Sequence, residues 1–257
     1  MRVFRPHLFI VGYNTVTLNT EYTLVGLCFQ KPDGTDMTLD EAIPYKEGMT
    51  KAMAIADADN LQVWNKSENK YDLYFLSNGQ YGKSTNPSYD AKYDGKWLQS
   101  AGAACNAKLP AGTAFWYKSK TASKESPLSL TMAGAILQTA TTTPQTVTVN
   151  YTLFSNPYAA DAPINECLVT ENATKAMAIA DADNLQVWNK SENKYDLYFL
   201  SNGQYGKSTN PSYDAKYDGK WHQSAGAECN ASIPAGTSFW YLSRNANTTV
   251  SITNPVK

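Results

Sequence analysis

The chain has 257 residues, with 22 basic against 23 acidic side chains, a net charge of −1, 42% hydrophobic and 12% aromatic content. That hydrophobic share excludes a disordered chain, and the balanced charge offers no basic surface for nucleic acid. No run approaches the ~20 apolar residues of a membrane-spanning helix.

Residues 1–13 read as an N-terminal arm carrying Phe4, Leu8, Phe9, Ile10 and Val11. Its basic start suits a signal peptide, but the apolar run after Pro6 falls short of the ~7–15 residues of such a segment. A mature form, or a start other than the native one, is therefore expected. An apolar extended arm suits strand addition to a neighbour's sheet edge; the plainer expectation is that it packs on its own unit. Thr15–Asn19 and Tyr22–Phe29 follow as β-branched and aromatic runs and read as strands. Thr38-Leu39-Asp40-Glu41 fits a capping box that opens a short helix, with Pro163-Ile164-Asn165-Glu166 as its counterpart. Asn60–Trp64 is a strand, and Tyr71–Ser77 alternates with Tyr71, Leu73 and Phe75 on one face. Asn78-Gly79 is a hairpin-type turn pair and Asp94-Gly95 a second turn. Pro110-Ala111-Gly112 leads into the aromatic strand Thr113–Ser119, and Leu128–Met132 closes the unit. Many short strands with frequent turns predict an all-β, mainly antiparallel fold of two tandem sandwich or barrel-like domains, with at most short helices.

Two domains follow from a repeat. Thr50–Trp97 and Thr174–Trp221 are identical over 48 positions, and the likeness continues through Phe115-Trp116-Tyr117 and Phe239-Trp240-Tyr241. A repeat this long is a duplicated domain rather than a solenoid of short units. The expected division is an arm at 1–13, unit 1 at 14–136, a Thr-rich linker at 137–145 and unit 2 at 146–257.

Tyr22-Thr23-Leu24-Val25, Gln62-Val63-Trp64, Gly95-Lys96-Trp97 and Leu109–Tyr117 together resemble the pattern of a group of secreted bacterial proteins with a repeated β domain. The likeness spans most of both units, although Leu27-Cys28 stands where unit 2 has Asn156-Pro157. It implies an extracellular or cell-surface location. The low charge and the Ser/Thr/Asn/Tyr-rich composition agree with that location. Each unit has one cysteine in its leading segment and one before its Pro-Ala-Gly turn, so bridges Cys28–Cys105 and Cys167–Cys229 are expected. Four buried free thiols are the alternative.

Catalytic chemistry needs a nucleophile, base or metal brought together. The chain has two histidines; His7 lies outside the units, and His222 stands where the other copy has Leu98. No zinc-ligand spacing, phosphate loop or dinucleotide fingerprint occurs. No enzyme activity and no cofactor are expected. Asp57, Asp59, Asp90 and Asp94, recurring as Asp181, Asp183, Asp214 and Asp218, offer oxygen ligands of the kind calcium takes, but their setting suits turns. Two non-catalytic functions remain. The leading expectation is an extracellular structural protein that assembles with copies of itself into a filament or layer, since low charge and many tyrosines suit close packing and contacts that do not close make open filaments. The alternative is a carbohydrate-binding or adhesin-type surface module using Tyr81, Tyr89, Tyr93 and Trp97 with Tyr205, Tyr213, Tyr217 and Trp221, because exposed rings stack on sugar faces.

Overall fold

A computed structural model describes residues 10–19, 21–65, 67–68, 70–99, 105, 107–189, 192, 194–223 and 229–256. The chain divides between Leu137 and Gln138 into two compact units. In unit 1 the order is β1 (Val11–Leu18), β2 (Tyr22–Gly26), β3 (Phe29–Gln30), β4 (Met37–Thr38), α1 (Leu39–Ala42), β5 (Asn60–Asn65), β6 (Lys70–Lys83), β7 (Asn86–Leu98), β8 (Lys108–Leu109), β9 (Ala114–Lys118) and β10 (Leu128–Ile136). Unit 2 has β11 (Gln145–Thr146), β12 (Asn150–Ser155), β13 (Ala162–Pro163), α2 (Ile164–Cys167), β14 (Leu168–Glu171), β15 (Asn184–Asn189), β16 (Lys194–Lys207), β17 (Asn210–His222), β18 (Ser232–Ile233), β19 (Ser238–Ser243) and β20 (Thr249–Ile252).

Each unit is a sandwich-like stack of a five-stranded and a three-stranded antiparallel sheet, with a two-stranded ladder, β4-β8 or β13-β18, beside them. The larger sheet runs β2-β9-β5-β6-β7 in unit 1 and β12-β19-β15-β16-β17 in unit 2. In unit 1 the core joins Val16, Leu18, Leu130 and Met132 of the smaller sheet to Leu61, Tyr74, Leu76, Phe115 and Tyr117 of the larger one. Strict alternation makes this work, since inward residues of a strand sit two apart. Trp97 is locked into the same core: its Nε1 donates to the Ile43 carbonyl at 2.6 Å, and its ring meets Tyr117 edge-on at 6.1 Å.

The smaller sheets differ. Unit 1 uses β1-β10-β3 and unit 2 uses β11-β20-β14. After α2 the chain runs straight into β14, which pairs with β20. After α1 it meets Pro44, which lacks the N–H a ladder needs, and no strand forms. The capping box on α1 is present in both directions, whereas Pro163 caps α2 without a side-chain bond.

Three expectations are corrected. The Thr-rich stretch is not a bare linker: Thr142 N–H donates to the Ile252 carbonyl, Asn254 N–H to the Ala140 carbonyl, and Gln145 faces Val250. Asn78-Gly79 is not the hairpin turn. β6 continues to Lys83 and pairs with β7, and Asn78 faces Asp94 at a register shift. The positive φ of Gly79 (79°) and Gly95 (70°) serves this irregularity, which bends the ribbon as bulges do. The third correction concerns the cysteines. All four are free, so the bridges Cys28–Cys105 and Cys167–Cys229 are not made. The leading cysteines are not even equivalent. Leu27 N–H donates to Thr113 O as Asn156 N–H does to Thr237 O, so Cys28 matches Pro157. Asp40 accepts from Trp97 N–H as Asn165 does from Trp221 N–H, so Cys167 matches Ala42. Burial pushes the Cys28 thiol up to about 11.

Candidate functional site

Two aromatic surfaces recur in both units. The first is the hairpin of β6 and β7, whose pairing with β5 ends at Phe75 while the ribbon runs on to Lys83 and Asn86. Tyr81 and Tyr93 meet edge-on at 6.2 Å, and Tyr205 and Tyr217 repeat this at 5.9 Å. Tyr89 and Tyr213 are 60% exposed. Lys92 Nζ sits 4.6 Å over the Tyr93 ring and pairs with Asp90, and Lys216 does the same with Tyr217 and Asp214. Hydrogen bonding to the lysine holds the Asp90 carboxyl below the ordinary carboxylate range. Tyr81 and Tyr93, with Tyr205 and Tyr217, therefore share one face of the hairpin, while Tyr89 and Tyr213, opposite Gln80 and Gln204, lie on the other. Trp97 and Trp221 do not join them. They are 1% and 2% exposed, because their place in β7 and β17 points inward, and their reading as ligand contacts is corrected.

The second surface is the outward face of the larger sheet. Leu24, Trp116, Gln62 and Leu73 lie in one row across β2, β9, β5 and β6, and Ala114, Trp64 and Tyr71 lie in the next row on the same side. Trp64 and Trp116 are half-buried, and Leu73 is 43% exposed. Trp116 Nε1 donates to the Tyr71 hydroxyl at 3.2 Å, and Trp64 meets Tyr71 edge-on at 5.0 Å. Trp188 and Tyr195 repeat the contact at 5.0 Å. The rims differ. In unit 1, Lys118 Nζ lies 4.9 Å over Tyr22 and pairs with Glu21 at 3.1 Å. In unit 2, leucine replaces that lysine at 242, Tyr151 meets Trp240 edge-on at 6.2 Å, and Gln186 Nε2 donates to the Tyr151 hydroxyl at 2.7 Å. Tryptophans 64, 116, 188 and 240 are thus the surface residues missed by the sequence reading. Alternation in Phe115-Trp116-Tyr117 separates Trp116 from its neighbours, but does not say which side faces water.

The arm residues Phe4, Leu8 and Phe9 lie outside the described residues, as does His7. Ile10 and Val11 are not part of a detached arm: Ile136 N–H donates to Ile10 O, and Val11 faces Ala135 in the β1–β10 ladder. Their side chains are 50% and 69% exposed. Of the recurring aspartates, Asp59, Asp90 and Asp94 have structural partners. Asp59 is fully buried and accepts from the Tyr117 hydroxyl and Lys120 N–H, both at 2.7 Å. Asp94 pairs with Lys51 at 2.8 Å. Among the described residues no group of three His, Cys, Asp or Glu lies close enough to hold a metal. His222 is buried beside Phe199 and Tyr217, where Leu98 packs with Phe75 and Tyr93 in unit 1. No helix among the described residues is long and apolar enough to cross a membrane.

No family model matches the chain, and no curated protein matches it. Among solved structures, a recombinant N-glycanase F (PNGase F) is found at 11% identity, covering 95% of this chain and 89% of that one, with a TM-score of 0.12. A likeness at that level carries no argument about fold or activity.

Proposed function

We propose that the chain is a non-catalytic, extracellular carbohydrate-recognition module that offers one aromatic surface twice. The observation that carries this reading is the duplicated outward sheet face, where Trp64, Tyr71 and Trp116 recur as Trp188, Tyr195 and Trp240 with the same edge-on Trp–Tyr spacing of 5.0 Å. Flat rings beside amide and hydroxyl groups suit a pyranose, whose C–H face stacks while its hydroxyls hydrogen-bond. Gln62 and the Tyr71 hydroxyl supply the polar part in unit 1. The tyrosine hairpins extend the reach of each unit. The extracellular part of the proposal rests on the composition.

A glycan array on the intact chain, followed by calorimetry on the oligosaccharides retained, tests the reading. Binding at two sites per chain that falls at least tenfold in Trp116→Ala/Trp240→Ala, with the melting behaviour preserved, is expected. Uniform absence of binding across neutral and acidic glycans would overturn it. Assembly with copies of the chain draws its support from a different feature, the edge of β1.

A further inference from the structure

Among the described residues β1 stands at the edge of its sheet, paired on one side with β10. The hydrogen bond from Ile136 N–H to Ile10 O, at 2.9 Å, sets which backbone groups face which way. Antiparallel pairs alternate between those that exchange hydrogen bonds and those that do not. Ile10 and Ile136 are a bonded pair, so Gly12, Asn14, Val16 and Leu18 also turn their N–H and C=O toward β10. Val11, Tyr13, Thr15 and Thr17 therefore turn theirs to the outer edge.

The side chains of those same four residues lie on the face away from the core, where all four are exposed. Val11 is 69% and Tyr13 77% exposed. Edges are ordinarily blunted by charge, proline, bulges or shortness. β1 has none of these: it is eight residues long, ladders with β10 without a register break, and contains no charged residue and no proline. The edge of β7 carries Asp90, Lys92, Asp94 and Lys96. The strand equivalent to β1 in unit 2, β11, has two residues and follows Pro144.

We propose that this edge binds a second copy of the chain, with β1 pairing antiparallel to β1 about a two-fold axis at Asn14. The occupant follows from self-complementarity. In this register Val11 faces Thr17 of the second copy and Tyr13 faces its Thr15, and the reverse. Every outward N–H and C=O of the four residues then meets a partner. Each facing pair joins a β-branched side chain to an aromatic or another β-branched one, a favourable cross-strand combination. No like charges oppose each other. Two three-stranded sheets merge into one of six. Because the contact is isologous, it closes as a dimer and does not propagate into an open filament. It also goes beyond sugar recognition and stands without it.

The test is the mass of the full chain by sedimentation equilibrium across concentration, in the presence of a reductant and without glycan. The expected species is twice the 28.3 kDa chain mass at high concentration, dissociating on dilution. Thr15→Pro removes an outward N–H that the β10 ladder does not use, and proline is tolerated at such edge positions. It is expected to give monomer at every concentration with unchanged far-ultraviolet circular dichroism. Tyr13→Lys is the second variant, in case the proline unfolds β1; placing like charges near the axis is expected to shift dissociation at least tenfold. Monomeric wild-type protein at all concentrations overturns the proposal, as do dimers or open polymers that persist in either folded variant.

Discussion

The Tyr117 hydroxyl donates to the Asp59 carboxylate at 2.7 Å, and Tyr241 donates to Asp183 at the same distance. Asp59 also accepts from Lys120 N–H, so one buried carboxylate ties the β9 strand and the turn after it to the segment entering β5. Its removal orphans both donors. Asp59→Ala is expected to destabilise unit 1 by about 3 kcal/mol, since each buried unsatisfied group costs about 1–3 kcal/mol; urea unfolding at neutral pH reads this. Burial, outweighing the hydrogen bonds, holds the Asp59 carboxyl above its ordinary value. The sign follows: its contribution is full below the unfolded value and is lost as pH rises through the folded one. Tyr117→Phe, by deleting a bond that favours the ionised form, is expected to raise the Asp59 titration further in a carboxyl-observed NMR experiment.

Gly79 lies under the ring of Tyr89. A β-carbon built there would come within 2.6 Å of Tyr89 Cε2 and 3.1 Å of the Asp90 carbonyl, at a φ of +79°. The positive φ alone costs a side chain about 1–2 kcal/mol. Gly79→Ala is expected to destabilise the hairpin by more than that amount, and Tyr89→Ala should recover only the clash portion. Thermal melts of the two single variants and the double variant give this cycle.

Glu41 accepts from Thr38 N–H at 2.8 Å and pairs with Lys31 at 2.9 Å. The Thr38 backbone bond first, and then Lys31, hold its carboxyl down at about 2. Its contribution is present above the ordinary value of 4.5 and is lost as pH falls toward about 2. NMR titration is expected to place Glu41 near the bottom of the carboxylates, and Thr38→Ala should raise it. Pro163 makes no such side-chain bond at α2, so this acid sensitivity belongs to unit 1.

Denatured protein kept away from reductant is expected to titrate four thiols per chain, because all four cysteines are free. In the folded state at pH 8, Cys28 should resist iodoacetamide, its thiol being held near 11 by burial. Prompt labelling of Cys28 without unfolding would contradict its place in the core.

The all-β class and the duplication were legible because alternation and identity are local properties of the chain. The capping box at Thr38 was legible for the same reason. Positions that depend on the third dimension were not. Asn78-Gly79 has turn chemistry, yet a glycine with positive φ also serves a bulge, and the choice was decided by how far β6 and β7 run on together. Trp97 and Trp116 each sit in alternating strands, and only the location of the smaller sheet shows which of them is inside. The cysteine pairing failed for a third reason. The leading segments align with gaps, so matching Cys28 to Cys167 by order alone equated two positions that the Leu27 backbone bond and the Asp40 side-chain bond show to be different.

The identical stretch from Thr50 to Trp97 and from Thr174 to Trp221 has a consequence for how the chain reaches its native state. As far as Trp97, strands β5 to β7 carry no residue that distinguishes their own frame from the other unit's, so exchanged and native pairings within that stretch are chemically equal. What sorts them is the surrounding frame, where Pro44, Lys118 and Leu98 of one unit stand against Val169, Leu242 and His222 of the other. The other sorting factor is the shorter loop that joins each stretch to its own neighbours, since closure costs more as the loop lengthens. Fidelity of folding in this molecule is therefore a matter of proximity in the chain rather than of recognition between strands.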